Sequence, residues 1–285
     1  MRNLHFRSNA LAQLTITPTV GTAVGTAIVA TAMLWARQRR LTSRVERLGG
    51  AALETLLGAI DANDPVTGAH VRRVARFALA LGQAMGASEH ESHSIERVAL
   101  FHDIGKIHEA LFDVIHDDQK LTPAERRAIR THAARGARVL EPLSAFYPDL
   151  AKGVIAHHER WDGSGYPRGL RGLQIPLTAR VVAIADTFDA VTHSRRYRRG
   201  RSVARAREII AEGRETEFDP ELVDLFLSPP VQERIRQEMR EAAAIERGRI
   251  SHRPKHGEKL PAPDVSFRWR ATTPTESHDV VERRS

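Results

Sequence analysis

Apolar residues recur along this chain at the three- and four-residue spacing of amphipathic helices. A first helix is predicted over 41–60, with apolar positions at Leu41, Val45, Leu48, Leu53, Leu56, Leu57 and Ile60. The polar stretch 61–65 interrupts it, and Thr67 is expected to cap a second helix that ends near Met85. Its inward positions are Val71, Val74, Phe77, Ala78 and Leu81. A third helix is expected to lead into Phe101 and to end before Gly105.

The rest of the chain up to about residue 248 continues this helical pattern. Thr122 to Glu125 form a capping box with proline at the first helical position, so a helix is expected to begin there and to carry His132. Further helices are predicted at about 148–158, 177–192, 202–213, 219–227 and 231–248, with a glycine-rich loop over 163–172. No segment shows a convincing alternation of apolar and polar residues, which would indicate a β-strand. The predicted fold class is all-α.

The N-terminal segment differs, because residues 8–36 contain no charge. The apolar run is followed by Arg37, Arg39 and Arg40, and together they predict a single membrane anchor at about 14–36. The arginine side is expected in the cytoplasm. A cleaved signal peptide and an unstructured leader are the alternatives.

Composition restricts the chemistry of any metal site. The chain has no cysteine, which excludes disulfides and thiolate ligands, but it has 14 histidines. The net charge of +8 lies in the ends, since 1–50 carry seven Arg/Lys against one acid whereas 51–228 carry 24 against 25. This distribution gives no support for binding of a nucleic-acid polymer.

Polar side chains recur at positions where core helices are expected to be apolar. They are His70, His102, Asp103, His132, His157, His158 and Asp186. A buried carboxylate beside an imidazole needs a partner, which is either a metal ion or a plain hydrogen bond. Brought to one centre, imidazoles and carboxylates would suit Fe, Mn or Zn better than Mg or Ca. Taken singly, each residue also has a simple structural explanation, such as a buried hydrogen-bond acceptor.

The order of these residues resembles the HD-GYP family, the branch of the HD metal-dependent phosphohydrolases that hydrolyses the bacterial second messenger cyclic di-GMP. The matching stretches are His-Asp-Ile-Gly-Lys at 102–106, His-His-Glu-Arg-Trp-Asp-Gly-Ser-Gly-Tyr-Pro at 157–167 and Ala-Asp-Thr-Phe-Asp-Ala at 185–190. The resemblance covers about residues 55–228. It implies an HD-domain helical bundle with an additional Gly-Tyr-Pro loop and C-terminal helices.

The resemblance also implies a cofactor of two divalent metal ions, Fe or Mn. The implied ligands are His70, His102, Asp103, His132, His157, His158 and Asp186. Asp103 would bridge the two ions, and Lys106 matches the family's active-site lysine. Asp189 and Glu159 are expected to orient ligands or loop backbone.

Substrate contacts follow from the same resemblance. Gly165, Tyr166 and Pro167 form the loop that lines the cleft, and Arg195 and Arg198 would contact phosphate and guanine. The two ions would hold a water as hydroxide and clamp one phosphodiester, while Lys106 neutralises charge or assists the leaving oxygen. The implied product is linear pGpG, with further cleavage to GMP left open.

Three positions depart from the family pattern. Val66 stands where some members carry a glutamate that binds a third metal, so a two-metal site is expected. Residues 115–120 replace the usual Lys-Pro-Gly loop, and Arg196 replaces a proline. Because no implied ligand is lost, an active enzyme is favoured over a receptor that binds cyclic dinucleotides without turnover. A hydrolase of another nucleotide is the third hypothesis.

The predicted organisation is an N-terminal segment (1–40), a connecting helix (41–60), a catalytic domain (61–248) and a disordered tail (249–285). The connecting helix could pair two chains into a homodimer. The expected location is the bacterial inner membrane with the catalytic domain in the cytoplasm, or the cytoplasm if the anchor is absent.

Overall fold

A computed structural model describes residues 18–107, 122–193 and 200–251. By internal contacts the chain divides into two compact units, Met1–Leu48 and Gly49–Ser285. The described residues form helices and no β-strand, with one isolated bridge between Arg214 and Phe218. The predicted all-α fold class is therefore confirmed.

The described residues form ten α-helices and three short 3-10 turns. The α-helices are α1 (Pro18–Asn63), α2 (Pro65–Ala84), α3 (Glu89–Phe101), α4 (Pro123–Arg130), α5 (His132–Leu140), α6 (Leu150–Ala156), α7 (Leu177–Thr192), α8 (Val203–Glu212), α9 (Pro220–Leu227) and α10 (Pro229–Ser251). Short 3-10 turns occupy Ile104–Ile107, Glu141–Leu143 and Gly172–Gln174.

The predicted membrane anchor lacks support. Among the described residues, no helix combines the length and the apolar character that crossing a bilayer requires. The first four residues of the predicted anchor, 14–17, lie outside the described residues.

Side-chain hydrogen bonds set two helix boundaries differently from the sequence prediction. Asp64, and not Thr67, caps α2, because its carboxylate accepts hydrogen bonds from the N–H groups of Val66 and Thr67 at 3.0 and 3.2 Å. The predicted single helix through His132 is two helices, α4 and α5, divided at Thr131. The Thr131 hydroxyl donates to the Ala128 carbonyl at 2.6 Å, a back-bond that commonly bends or interrupts a helix.

The core of the unit Gly49–Ser285 is built around α2 and α7. The buried rings of Phe77, Phe188 and Phe226 meet edge to face, with centroids 5.2 and 5.4 Å apart. Around them α2 packs against α3 and α7, and α5 packs against α6. These contacts place the inner faces of α2, α3 and α7 beside the start of α5 and the end of α6.

Two glycines permit this close packing. A Cβ on Gly105 would collide with the carbonyl oxygen of His132, so the turn after α3 lies directly against α5. A Cβ on Gly153 would lie 2.5 Å from Val98 Cγ2 and 2.7 Å from Thr178 Oγ1, so α6 lies equally close to α3 and α7. The backbone segments that carry His102 and His132 are thereby brought together.

Several predicted features lie outside the described residues. They are the loop 115–120, Arg195, Arg196, Arg198 and the tail beyond Ser251.

Candidate metal centre

Seven polar side chains meet inside the unit Gly49–Ser285. His70 lies on the inner face of α2, and Asp186 lies on α7. The others lie where helices begin or end: His102 and Asp103 after α3, His132 at the start of α5, and His157 and His158 after α6. These are the seven residues to which the family resemblance assigned metal binding.

The side chains form two groups with Asp103 between them. In each group the potential ligand atoms lie within 4.8 Å of one another; the groups are His70, His102 and Asp186, and His132, His157 and His158. Asp103 Oδ2 lies 3.8 Å from His70 Nε2 and 3.5 Å from His102 Nε2. Asp103 Oδ1 lies 3.5 Å from His132 Nε2, so each oxygen of this carboxylate faces a different group.

Backbone carbonyls fix the tautomer of three of the imidazoles. The Nδ1 atoms of His102, His132 and His157 lie 2.8, 2.6 and 2.6 Å from the carbonyl oxygens of residues one turn earlier. A carbonyl oxygen only accepts, so each Nδ1 must carry the proton and donate it. In the neutral ring, Nε2 then presents a lone pair to the centre.

Several of these inward atoms have no hydrogen-bond partner in the described part of the chain. His102 Nε2 and Asp103 Oδ1 are buried and unpaired, and their separation of 3.5 Å or more from neighbours excludes a plain His–Asp hydrogen bond. His132 Nε2 and His157 Nε2 face each other at 3.2 Å, although both are acceptors. Such an arrangement is costly unless a cation lies among the lone pairs. The residues therefore fit a divalent metal with nitrogen and oxygen ligands.

Burial keeps the second group neutral. It lowers the pKa of His157 well below the usual range and that of His158 to about 3, and neighbouring imidazoles add to both shifts. The pKa of His132 is also lowered, chiefly by burial. These three rings present lone pairs at neutral pH, as metal ligation requires.

The first group is electrostatically different. Burial works against a charge on His70, but hydrogen bonds with Asp186 and Asp189 raise its pKa to about 9. Burial likewise disfavours ionised Asp103, yet Lys106 Nζ at 2.6 Å and the surrounding imidazoles hold its pKa well below the usual range. Without metal, this half of the site is thus a protonated imidazole among carboxylates.

Asp189 contacts His70 through Nδ1, the ring nitrogen that does not face Asp103. Its carboxylate accepts hydrogen bonds from His70 Nδ1 at 2.7 Å and Arg73 Nε at 2.7 Å, and it pairs with His193 Nδ1 at 2.9 Å. Asp189 was expected to orient a ligand, whereas Arg73 and His193 were not anticipated. The signal for Arg73 was its position three residues after His70, which places both on one side of α2.

The Gly-Tyr-Pro loop lies beside the second group. The ring of Tyr166 stacks on the ring of His158, with centroids 4.8 Å apart and planes at 27°. The backbone N–H of Tyr166 donates a hydrogen bond to the carbonyl oxygen of His158 at 3.2 Å. A Cβ on Gly165 would lie 2.6 Å from Glu159 Cα, so only glycine fits this close approach. Pro167 follows through a cis peptide bond.

Buried Glu159 anchors the same loop. Its carboxylate accepts hydrogen bonds from the N–H groups of Arg168 at 2.7 Å and Leu170 at 3.0 Å. Sequence reasoning assigned Glu159 to ligand or loop orientation, and the structure places it against the loop backbone.

Arg130 was not anticipated by sequence reasoning. It ends α4, and its guanidinium carbon lies 5.1 Å from the centroid of the Tyr166 ring. The 35 residues between them carry no local signal for this contact, which only the packing of α4 against the loop creates.

Comparison with known proteins identifies the fold. The model of the HD domain family matches residues 54–222, which is more than half of the chain. The chain is 38% identical over 194 residues to a cyclic di-GMP phosphodiesterase response regulator of Xanthomonas campestris pv. campestris, covering 67% of this chain and 51% of that protein. It is 37% identical over 174 residues to the 3'3'-cGAMP-specific phosphodiesterase 2 of Vibrio cholerae, covering 60% and 33%.

A solved structure shows the same architecture. The crystal structure of a cyclic GMP-AMP phosphodiesterase of V. cholerae aligns with a TM-score of 0.51 at 22% identity, covering 72% of this chain and 53% of that one. The chain therefore belongs to the HD domain family, whose members are metal-dependent, and its relatives together with the Gly-Tyr-Pro loop place it in the HD-GYP branch. It spans about a third to a half of the length of the curated relatives described above.

Proposed function

We propose that this chain is a metal-dependent phosphodiesterase that hydrolyses cyclic di-GMP. The observation that carries the proposal is the pair of ligand groups with Asp103 between them. His70, His102 and Asp186 would hold one ion, and His132, His157 and His158 the other. Asp103 would offer one oxygen to each, because its two oxygens face different groups.

We propose two ions, Fe or Mn, because the ligands are imidazoles and carboxylates without a thiolate. Val66, at the position where a third ligand would be needed, has an apolar side chain that is 56% exposed. When bound, two such metal ions would supply Lewis-acid polarisation of a phosphodiester and a nucleophilic hydroxide at neutral pH.

The chain's own residues would complete the reaction. Water adds across the P–O3' bond, so its oxygen joins phosphorus and a proton must reach the departing 3' oxygen. The Lys106 ammonium is 28% exposed beside Asp103, where it can offset negative charge on the phosphorus centre and deliver that proton. The product is linear pGpG, and a second hydrolysis would give GMP.

Substrate contacts are proposed for the Gly-Tyr-Pro loop and for two arginines outside the described residues. Gly165, Tyr166 and Pro167 would line the cleft beside His158. Arg195 and Arg198 would bind phosphate or guanine through their planar donor groups.

A mixed cyclic dinucleotide is the second candidate substrate. Relatives from V. cholerae that are 37% and 38% identical to this chain are named 3'3'-cGAMP-specific phosphodiesterases. The similarity to these proteins is as high as to those named for cyclic di-GMP.

The full chain, purified without chelator and reloaded with Mn(II) or Fe(II), tests the proposal. Metal content and turnover of cyclic di-GMP, 3'3'-cGAMP and cyclic di-AMP are measured on one sample. We expect about two ions per chain and release of pGpG from cyclic di-GMP. Faster turnover of 3'3'-cGAMP would select the second candidate. Tight binding without turnover would identify a receptor, and absence of metal would refute the site.

A further inference from the structure

A positively charged side chain lies at the edge of the site without a described counter-ion. Arg130 is exposed, and no carboxylate of the described residues forms an ion pair with it. Its guanidinium carbon lies 5.1 Å from the centroid of the Tyr166 ring, within the range of a cation–π interaction. A cation–π contact does not use the N–H donors of a guanidinium, which can still bind another acceptor.

Two consecutive ring contacts connect Arg130 with the metal centre. The guanidinium lies over Tyr166, and the Tyr166 ring stacks at 4.8 Å on His158, which belongs to the second ligand group. Burial raises the pKa of the Tyr166 hydroxyl, which also experiences the charges of Arg130, Asp103 and Asp186. The hydroxyl of this tyrosine therefore stays protonated and the ring stays neutral.

The charges of the site indicate what Arg130 binds. Asp103 and Asp186 already face imidazoles and Lys106, and they would neutralise only half of the charge of two divalent ions. A further cation close to those ions is repelled by them unless an anion lies between. The proposed substrate carries two phosphates, and only one of them is cleaved at a time.

We infer that Arg130 binds the phosphate of the cyclic dinucleotide that is not being cleaved, and that Tyr166 holds its guanidinium in position. This inference rests on the proposed function. A planar guanidinium offers two parallel N–H donors to two phosphate oxygens. Its contribution should therefore be confined to substrates that have a second phosphate.

The test compares the metal-loaded wild type with Arg130→Ala, Arg130→Lys and Arg138→Ala. Arg138 is an exposed arginine of α5, and its replacement removes the same charge at a position with no described ring contact. KM and kcat are measured with cyclic di-GMP and with bis(4-nitrophenyl) phosphate, which has a single phosphate. Metal content is measured on the same samples.

We expect Arg130→Ala to raise KM for cyclic di-GMP by about 10- to 100-fold, the loss typical of a charge-assisted contact. Its kcat should stay within about threefold, since the contact is made equally before and during reaction. Hydrolysis of bis(4-nitrophenyl) phosphate and metal content should not change. Arg130→Lys should recover part of the affinity because it keeps the charge, and Arg138→Ala should behave as wild type.

The possible outcomes separate the inference from the proposed function. An unchanged KM in Arg130→Ala, with an active wild type, overturns the inference alone. An equal loss on both substrates overturns it as well, because the contact would then involve the reacting phosphate. No recovery in Arg130→Lys also overturns it, because a phosphate contact would keep part of its attraction to the retained charge. If the wild type cleaves no cyclic dinucleotide, the proposed function fails. The inference is then tested by calorimetric Kd values for cyclic di-GMP. If the wild type does not bind cyclic di-GMP, or if Arg130→Ala leaves the Kd unchanged, the inference fails as well.

Discussion

At the scale of residues, the histidines of the centre have two electrostatic characters. His157 and His158 are held neutral by burial, whereas His70 is held protonated by Asp186 and Asp189. The orphaned acceptors His102 Nε2 and Asp103 Oδ1 lie between them. Histidines of one site thus differ in protonation because their buried neighbours differ.

The first prediction separates metal binding from chemistry by comparing Asp103→Ala with Lys106→Ala. Asp103 faces both ligand groups, so its loss should abolish turnover and lower metal content together. Among the described residues, the Lys106 ammonium is hydrogen-bonded to Asp103, so its loss should leave metal content unchanged and slow turnover by about 10²-fold. Elemental analysis and product assays on the same samples give both quantities. A Lys106→Ala enzyme with the wild-type rate would show that its catalytic role is wrong.

The second prediction concerns proton release on metal binding. His70 has a pKa of about 9 in the metal-free protein, so at pH 7.5 it must lose a proton before it can ligate. We expect His70 to contribute about one released proton per chain, and metal affinity of the first group should fall as the pH is lowered below 9. Calorimetry in buffers of different ionisation enthalpy measures the release. His70→Ala is the control and should release about one proton fewer; a wild type that releases no more than this variant would contradict the assignment.

At the scale of elements, five of the seven candidate ligands lie at helix ends that are packed close together. The turn after α3 lies against the first residue of α5, with Gly105 at the contact. The Gly-Tyr-Pro loop is held by one buried carboxylate, that of Glu159. The position of the turn after α3 therefore depends on Gly105, and the position of the Gly-Tyr-Pro loop depends on Glu159.

The third prediction compares Gly105→Ala with Gly58→Ala. A Cβ on Gly105 would collide with the His132 carbonyl, so we expect a loss of about 1–3 kcal/mol in free energy of unfolding and reduced metal content. Gly58 lies within α1 with no atom near its would-be Cβ, so alanine there should stabilise by about 0.5–1 kcal/mol. Denaturant unfolding measures both changes. Equal stability of the Gly105→Ala protein and wild type would refute the close contact.

The fourth prediction tests the anchoring of the loop. Glu159→Ala removes the acceptor of two backbone N–H groups, so hydrogen exchange over 163–172 should accelerate and KM should rise. Metal content should persist, because Glu159 contacts backbone and no ligand ring in the described structure. Glu159→Gln keeps one acceptor and should give a smaller effect. Unchanged exchange in Glu159→Ala would show that the loop is held by other contacts.

At the scale of the whole molecule, the centre joins helices that are distant in sequence. Its candidate ligands extend from His70 to Asp186, and they lie on or beside α2, α3, α5, α6 and α7. Such a site exists in the folded state and not in the unfolded chain. Bound metal should therefore stabilise the fold as one unit.

The fifth prediction is that chelation lowers the midpoint of thermal unfolding. Free metal at 100 times its Kd stabilises the native state by about 2.7 kcal/mol, so removing it should shift Tm downward by several degrees. Differential scanning calorimetry with and without chelator measures the shift. Asp103→Ala is the control and should show a smaller difference. An identical Tm with and without chelator in the wild type would contradict the coupling of metal and fold.

The amino-acid sequence by itself determined the helical fold class and predicted the seven side chains that meet at the candidate metal centre. Helix periodicity is local, and the His-Asp, Gly-Tyr-Pro and Ala-Asp motifs are contiguous, so both could be read along the chain. The local sequence pattern predicted helix boundaries less accurately than it predicted the helices themselves. It assigned the cap of α2 to Thr67 instead of Asp64 and missed the break at Thr131, because side-chain hydrogen bonds decided both.

Tertiary structure decided how the ligands divide and which residues support them. The two groups, the position of Asp103 between them and the protonation of His70 depend on distances between helices that periodicity does not contain. Arg130 meets Tyr166 only because α4 and the loop are packed together. Periodicity says which face of a helix is buried, but the partner of that face is set by packing across the whole core.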